Sequence, residues 1–351
     1  MDNVDLLMVL PLSPLLSVQL LAQSFNDTSA TYKFYWFLSI LQEVEKGNLA
    51  PFKKDLFAGM VSNAWYTVNY FHISFGKQDK LQRAIISIKE QEGLFVDDPL
   101  SKVFKHLAKA DDKHTISELN YFNKEVPWRF LSPWIKAGEK EVYRASQGFG
   151  NNCLYALYPQ HIELNPTWVD YLLANSGILK SFCYWKLSLY LQKHNPNVPD
   201  IPNKLIKPAK RNSLNEQRKF WNIIFREQGS VNCIYTASKL SIEDYAVEHF
   251  IPYAFVSHDL MWNLIPADRS FNCSKNDKLP SLDRYFESFF ELHKSAIEIV
   301  KQCAPKNKFL EDYLSIFPEL ENIDQDEFKI RYRETLQPLI TIAGNNGFGM
   351  L

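Results

Sequence analysis

The sequence predicts an α+β protein that is mostly α-helical, with a small unit of two strands and one helix in its C-terminal half. Three observations lead to this expectation. Apolar residues recur at helical spacing along most of the chain. Two short runs of β-branched and aromatic residues, within residues 244–266, each end at a proline. A proline-rich stretch at residues 196–208 separates the two halves. The chain has 351 residues, of which 46% are hydrophobic and 23% charged, so a packed core is expected.

Residues 1–195 are expected to form a helical N-terminal domain that serves targeting or partner binding. Residues 32–45 are densely apolar and predict a buried helix that is capped within residues 27–29. Residues 80–89 have the spacing of an amphipathic helix. Residues 63–75 are aromatic and β-branched, and they fit either a helix or a strand.

An aromatic stretch broken by prolines, residues 126–134, is expected to be a loop or a set of short turns that packs on these helices. The functional alternative is base stacking by Trp128 or Trp134, with Arg129 on phosphate. Buried aromatic residues are the commoner case, so packing is the favoured interpretation.

The remainder of this domain predicts one strand and two helices. Residues 153–158 are the strand candidate. A helix opens at Asn165, because Pro166 suits the first helical turn. A second apolar helix spans residues 178–193.

Residues 196–228 are predicted to be a proline-rich basic connector. Between residues 200 and 226, seven basic residues stand against two acidic ones. We expect contacts with nucleic acid from four of them, because phosphate is the natural partner of such a run: Lys210, Arg211, Arg218 and Lys219. The alternative is a solvated helix face over residues 216–226 whose aromatic side chains turn inward, and both can hold together.

The residues that carry chemistry fall between residues 247 and 280. Glu248 and His249 lie on the first predicted strand, Asn263 follows His249 by 14 positions, and Asn272 follows nine later. A strand over 244–251, a loop over 253–261, a strand over 262–266 and a helix beginning near Phe271 with Ser270 as its cap are expected. In this order of elements, Glu248 and Asn272 can meet with His249 beside them. His258 and Asp259, in the loop, are expected to be solvated and are assigned no catalytic role.

These residue types suit hydrolysis of a phosphodiester. A carboxylate and an amide carbonyl are hard ligands that favour Mg²⁺ or Mn²⁺ with several waters, and such an ion can hold a scissile phosphate. A neutral His249 can accept a proton from the attacking water. Asn263 is expected to fix the loop and aim the imidazole. Singly, such His and Asn residues are more often packing or turn residues; the indication lies in the whole set.

This segment resembles the core of HNH nucleases, the ββα-metal group. It is similar without a gap to the HNH domain of the RNA-guided CRISPR nucleases, and residues 233–236 resemble the C-x-Y-T entry strand of that zinc-free subgroup. The resemblance implies His249 as general base, Glu248 and Asn272 as metal ligands, and Asn263 as the orienting residue. Glu248 departs from the commoner Asp, and Asn272 from the last His of many HNH enzymes. Lys275 and Lys278 follow closely, and we expect both to contact nucleic acid; a surface role for Lys275 is the alternative.

Cysteine usage and the N-terminus bear on compartment. The five cysteines are scattered and odd in number, which indicates reduced intracellular thiols and a cytoplasmic protein. Cys233 has no partner at ligand spacing, so no structural zinc is expected. Residues 6–21 are apolar but follow Asp2 and Asp5, and Lys33 is the first basic residue, unlike a secretory signal. No run of about 18 apolar residues predicts a membrane span.

The expected nuclease domain is residues 229–303, followed by a C-terminal helical extension at 304–351. Ser281 is predicted to cap a long helix that reaches about residue 302. The expected activity is metal-dependent cleavage of DNA, and RNA is possible. A helical domain with a C-terminal HNH unit resembles bacterial proteins, several of which serve restriction or anti-phage defence. The alternative is a nucleic-acid or protein-binding subunit with a silent or degenerate nuclease site, and a protein partner or homo-oligomer is possible.

Overall fold

The structure, a computed structural model, describes residues 9–26, 28–206, 213–318 and 324–351. The chain divides into two compact units. Unit 1 comprises Met1–Pro196 and Ile201–Lys207, and unit 2 comprises Asn197–Asp200 and Pro208–Leu351. Most elements are helices and the strands are short, so the α+β, mainly helical class is confirmed.

Unit 1 consists of helices and one antiparallel hairpin. The helices are α1 Val18–Gln23, α2 Tyr32–Glu45, α3 Lys53–Asn69, α4 Lys80–Glu92, α5 Leu100–Ala108, α6 Lys113–Asn120, α7 Val126–Phe130, α8 Glu139–Ser146, α9 Pro166–Ala174 and α10 Ser176–His194. The hairpin pairs β1 Tyr155–Leu157 with β2 Ile162–Leu164. Short 3₁₀ helices cover Tyr121–Lys124 and Ile201–Lys204.

Helix α2 lies at the centre of unit 1, buried along almost its whole length. It packs against α3 and α10. At the α2–α3 contact the backbones approach closely, because a Cβ on Gly59 would lie 2.6 Å from Oγ of Ser39. The ambiguous stretch 63–75 is mainly helical, since α3 continues to Asn69.

The cap of α2 differs from the sequence expectation. Its N-cap residue is Thr31, and the carboxylate of the buried Asp79 accepts hydrogen bonds from the Thr31 backbone N–H at 2.6 Å and hydroxyl at 2.7 Å. Asp79 also caps α4 by accepting the N–H of Leu81 at 2.8 Å. One carboxylate therefore satisfies donors at two helix starts. Of the expected cap positions 27–29, residue 27 lies outside the described residues.

The aromatic stretch 126–134, expected to be a loop or short turns, begins with helix α7 and continues as turns over residues 131–134. Pro127 occupies the first turn, where its missing N–H leaves no hydrogen bond unmade. Trp128 donates its indole N–H to the Lys124 carbonyl at 2.8 Å, and the guanidinium of Arg129 lies 4.5 Å from the Trp128 ring centre. Base stacking by this tryptophan stays a prediction.

Unit 2 combines two short hairpins with longer helices. Its helices are α11 Asn215–Gln228, α12 Tyr253–Val256, α13 Arg269–Lys275, α14 Leu282–Cys303 and α15 Gln325–Asn345. Its strands are β3 Val231–Asn232, β4 Lys239–Leu240, β5 Ala246–His249 and β6 Leu264–Ala267, with β3 antiparallel to β4 and β5 to β6. Short 3₁₀ helices cover Met261–Asn263 and Lys308–Ser315.

Helix α14, whose N-cap residue is Ser281 as expected, contacts the chain segment that follows β5. It packs against α11 and α15 through an aromatic face. The Phe289 ring lies 4.1 Å from that of Phe250, the residue after β5. From α15, Tyr332 donates its hydroxyl to the Trp262 carbonyl at 2.5 Å. Helices α14 and α15 therefore both contact residues next to the β5–β6 hairpin and hold it in place.

Three local expectations in this region need correction. The second strand, expected over 262–266, begins at Leu264 after a 3₁₀ turn and includes Pro266. The loop expected over 253–261 contains helix α12. Helix α13 begins two residues earlier than expected because Asp268, not Ser270, is its cap: the Asp268 carboxylate accepts the N–H of Phe271 at 2.8 Å.

The end of the chain runs beside the hairpin unit. The N–H of Leu279 donates to the Gly349 carbonyl at 2.8 Å, and the N–H of Leu351 donates to the Leu279 carbonyl at 2.9 Å. Phe348 packs edge-on against Phe255 at 5.9 Å. Across the described residues, every helix is too short or too polar to cross a membrane.

Candidate active site

The β5–β6 hairpin and α13 bring the predicted site residues together. Glu248 lies opposite Ile265 and His249 opposite Leu264 in the antiparallel register. Helix α13 starts directly after β6, so its residues return to β5. Glu248, His249 and Asn272 line one cleft of about 400 Å³, as the sequence argument expects. Val247, Pro252, Tyr253, Asn276 and Leu214 complete its walls.

Both oxygens of the Glu248 carboxylate have partners. Nζ of Lys275 lies 2.5 Å from Oε1, and the Tyr235 hydroxyl donates to Oε2 at 3.0 Å. Glu248 is 3% exposed and Lys275 is fully buried. The same ammonium donates to the His249 carbonyl at 2.9 Å. A buried carboxylate and a buried ammonium thus compensate each other, as such charges must.

The imidazole of His249 is held by a residue that the sequence argument leaves to solvent. Its Nε2 lies 2.9 Å from Oδ1 of Asp259. The His249 side chain is 9% exposed and that of Asp259 is 25% exposed. Tyr253 meets the imidazole edge-on at 5.5 Å. Asp259 was expected to be solvated, and this is wrong for its position. Its carboxylate lies half-buried against the imidazole of His249.

Asn263 lies in the interior and ties the segment after His249 to the start of β6. Its Nδ2 donates to the Ile251 carbonyl at 2.8 Å, and its Oδ1 accepts the Ile251 N–H at 2.8 Å. The Asn263 carbonyl also accepts the N–H of Phe250 at 2.8 Å. These bonds match the loop-fixing part of its expected role, and its effect on the imidazole stays a prediction.

Residues 233–236, expected to be an entry strand, instead form the turn between β3 and β4, and Tyr235 of this turn contacts the site. Tyr235 stacks on Phe271 of α13 at 4.6 Å, which carries its hydroxyl to Glu248. The buried Sγ of Cys233 accepts the N–H of Asp268 at 3.4 Å. The sequence drew attention to this segment through its resemblance, yet gave no sign that the tyrosine would reach the carboxylate.

The basic residues expected to contact nucleic acid differ in their surroundings. Lys278 is exposed. Lys219 is exposed and pairs with Glu216 at 2.6 Å, and Arg218 stacks on the Tyr245 ring at 4.2 Å while donating to the Tyr245 carbonyl. The ammonium of Lys275 faces Glu248, so a phosphate contact would need its release from that pair. Lys210 and Arg211 lie outside the described residues.

The donor set is compatible with a hard divalent cation. A carboxylate has about four lone-pair positions, so the two bonds to Lys275 and Tyr235 leave acceptor capacity on Glu248. Asn272 adds an amide oxygen at the rim of the same cleft. Mg²⁺ is commonly bound through one or two protein groups with waters and substrate phosphate. Within the described ranges, no group of three or more His, Cys, Asp or Glu residues is arranged to hold a metal.

The geometry agrees with a comparison against known families. Residues 233–281 match the family model of HNH endonucleases. This HNH segment runs from Cys233 to Ser281 and contains Glu248, His249, Asn263 and Asn272. No curated protein and no solved structure matches the chain. The HNH resemblance is confirmed, and the closer likeness to the CRISPR nucleases stays a prediction.

Proposed function

We propose that this protein is a metal-dependent endonuclease that hydrolyses phosphodiester bonds in DNA. The observation that supports this most is the shared cleft of Glu248, His249 and Asn272 within the HNH segment. The proposal combines a proton acceptor with hard oxygen donors, the pairing that phosphodiester hydrolysis needs at neutral pH.

Glu248 and Asn272 would hold Mg²⁺ or Mn²⁺. When bound, such an ion supplies positive charge that stabilises the scissile phosphate and the leaving oxygen. Lys275 and Tyr235 orient the Glu248 carboxylate through one bond to each oxygen. We expect these two bonds to fix the position of the carboxylate before substrate binds. A site that is preorganised in this way lowers the activation barrier of the reaction.

His249 accepts the proton of the attacking water. The remaining hydroxide oxygen forms the new bond to phosphorus, the bond from phosphorus to the leaving oxygen breaks, and the leaving oxygen takes up a proton from solvent. Asn263 keeps the backbone after His249 in place through its two bonds to Ile251. A general base of this kind contributes roughly 10²- to 10⁴-fold to the rate.

Substrate binding would draw on basic side chains near the HNH segment, of which Lys278 is exposed. The formal net charge of the whole chain is −1, so attraction to a polyanion has to come from a local surface. Lys210 and Arg211, in the connector that precedes the segment, are further proposed contacts. Such contacts neutralise phosphate without reading sequence.

The alternative is a nucleic-acid or protein-binding subunit with a silent nuclease site. One observation favours it: the carboxylate expected to bind metal is already compensated by a buried ammonium at 2.5 Å. If Lys275 never releases the carboxylate of Glu248 and never shares it with a cation, metal would be excluded from the site. This alternative predicts DNA retention without cleavage under every divalent metal.

A plasmid cleavage assay with Mg²⁺ and with Mn²⁺ tests the proposal. Wild type is compared with His249→Ala and Asn272→Ala, and with His114→Ala and Asn215→Ala as matched controls on exposed positions. We expect metal-dependent cleavage that falls at least about 100-fold in both site variants and is unchanged in the controls. Equal rates in wild type and His249→Ala would contradict it. Single-stranded RNA as competitor decides between DNA and RNA.

We further propose restriction or anti-phage defence inside bacterial cells as the biological setting. It is an extension of the resemblance to bacterial HNH proteins and of the reduced state expected of its thiols. Phage plating on cells that carry wild type or His249→Ala tests it. Equal plating efficiency on both strains, across a panel of phages, would contradict this setting.

A further inference from the structure

We propose that Asp259 is a positioning residue for the nuclease reaction, setting the ring orientation and tautomer of His249. This role rests on the proposed function, because it assigns Asp259 a task in that same site. Nothing in the family resemblance assigns this residue, and the sequence alone gave it no role.

The contact itself has the geometry of a hydrogen bond between two restrained groups. Oδ1 of Asp259 lies 2.9 Å from Nε2 of His249, within the usual range for nitrogen and oxygen. The side chain of His249 is 9% exposed, and the ring of Tyr253 contacts it edge-on. A carboxylate accepts only, so Nε2 must carry the proton in this bond.

The loop that carries Asp259 is anchored on both sides. Before it, α12 ends at Val256, and the C-cap residue Ser257 takes the left-handed conformation with φ 57°. The Asp259 carbonyl accepts from Nε2 of Gln217 on α11 at 3.4 Å. After it, the N–H of Met261 donates to Oδ2 of Asp312 at 2.8 Å. The partners in these two hydrogen bonds, Gln217 and Asp312, belong to elements outside the loop. The packed unit therefore holds the backbone that carries the Asp259 carboxylate in place.

The consequence concerns which ring nitrogen meets the water. With Nε2–H donated to Asp259, the lone pair of the neutral ring lies on Nδ1. His249 lines the cleft that also holds Glu248 and Asn272. Nδ1 is therefore the proton acceptor, and Asp259 acts on the reaction only through the histidine. A rotated or reversed ring would present an N–H to the water instead.

The test compares wild type with Asp259→Asn, Asp259→Ala and the control Asp283→Asn. Asp283 lies on α14 in the same unit, and its side chain is 90% exposed. Asp259→Asn keeps the shape of the side chain but can offer an N–H to Nε2, which favours the opposite tautomer. Circular dichroism verifies that each variant is folded.

Two readouts are measured. Steady-state cleavage should show a kcat lower by about 10- to 100-fold in Asp259→Asn and Asp259→Ala, with KM unchanged within about twofold because the residue does not touch substrate. Proton–nitrogen correlation spectra of metal-free, ¹⁵N-histidine-labelled protein should show His249 protonated on Nε2 in wild type. We expect that signature to be lost or mixed in Asp259→Asn and unchanged in Asp283→Asn.

The possible failures are distinguishable. A wild type that cleaves while folded Asp259→Asn keeps its kcat overturns the role of Asp259 alone. The same holds if the His249 signature is identical in wild type, Asp259→Asn and Asp259→Ala, or if KM rises while kcat stays constant. A wild type that cleaves no nucleic acid with any divalent metal overturns the proposed function, and this role with it.

Discussion

Two histidines of unit 2 lie in regions of opposite character. His249 lies at the cleft, between short strands and loops, and its ring nitrogen bonds to a carboxylate. His293 lies in the middle of α14, fully buried, and its ring is surrounded by Phe289, Tyr313 and Tyr332. Its Nδ1 lies 2.8 Å from the hydroxyl of Tyr313.

Burial alone does not separate the two residues, since His249 is only 8% exposed. The difference lies in what surrounds each ring. The aromatic core disfavours the charged form of His293, and desolvation lowers its pKa to about 3. At the cleft, polar groups and a cavity wide enough for water and phosphate accompany His249. Catalysis is therefore expected from the histidine that has polar partners and lines an accessible cleft, which is His249.

The largest expected difference between the two histidines is seen when each is replaced by alanine. We expect His249→Ala to lower the cleavage rate by roughly 10²- to 10⁴-fold while the protein stays folded. His293→Ala should instead lower the free energy of unfolding by about 2–5 kcal/mol, because it opens a cavity in a packed core. Cleavage rates at a temperature where both variants are folded, together with urea unfolding, measure the two effects. A His293→Ala protein that is stable but inactive would reverse the assignment.

The second test uses two lysines that lie three positions apart. Lys275 is buried against Glu248, whereas Lys278 is exposed. Lys275→Met leaves the Glu248 charge buried without its partner, so the free energy of unfolding should fall by about 3–5 kcal/mol. Lys278→Met is the matched control and should change it by less than about 0.5 kcal/mol. Urea unfolding measures both.

The two lysine variants also test what each side chain contacts. If Lys275→Met remains as stable as wild type, the buried pair is not the stabilising contact that its geometry indicates. Lys278→Met should weaken DNA binding and lower the slope of log affinity against log salt by about one, as removal of a single phosphate contact does. An unchanged slope would contradict the predicted role of Lys278.

A smaller effect is expected on the other oxygen of the same carboxylate. Tyr235→Phe removes the hydroxyl that donates to Glu248 at 3.0 Å but keeps the ring that stacks on Phe271. Hydrogen bonds to charged groups contribute about 1.5–3 kcal/mol, so we expect a loss in this range from urea unfolding. Tyr158→Phe, whose hydroxyl bonds to Glu163 of unit 1, is the control and should leave cleavage unchanged. No change in either stability or cleavage for Tyr235→Phe would contradict the contact.

The sequence predicted the juxtaposition of Glu248, His249 and Asn272 because order and spacing of short elements determine which chain ends meet. It predicted the class of fold for another reason, because apolar residues recur at helical spacing along most of the chain. It missed Asp259, whose contact with His249 depends on how a nine-residue loop turns through α12 and a 3₁₀ helix. Periodicity does not encode the path of such a loop.

The buried partner of Lys275 was missed for a different reason. The type of this lysine and its place after Asn272 fit a phosphate contact, and only the packing of α13 against β5 shows that the ammonium points inward. The start of α13 was also misplaced, since Asp268 and Ser270 are both good caps and the choice depends on the end of β6. Tertiary contacts decide which charged group a lysine pairs with, and which of two suitable residues caps a helix.

The smallest predicted effect is a pH dependence that belongs to His293. Its pKa is about 3 in the folded protein, against about 6.5 in an unfolded chain. Well above pH 6.5 both states keep the ring neutral. As the pH falls below 6.5, the unfolded state binds a proton that the folded state cannot bind until about pH 3, so stability decreases.

Between pH 7.5 and pH 5.5 this residue should lower the free energy of unfolding by about 1.4 kcal/mol. Urea unfolding of wild type and His293→Gln at both pH values isolates the effect, because the other histidines are common to both proteins and cancel. The variant should be less stable at each pH but lose less stability on acidification. His114→Gln, at an exposed position, serves as control and should keep the wild-type dependence. Equal losses in wild type and His293→Gln would mean that the aromatic core accepts the charged ring, and the contrast with His249 would then rest on access to the cleft alone.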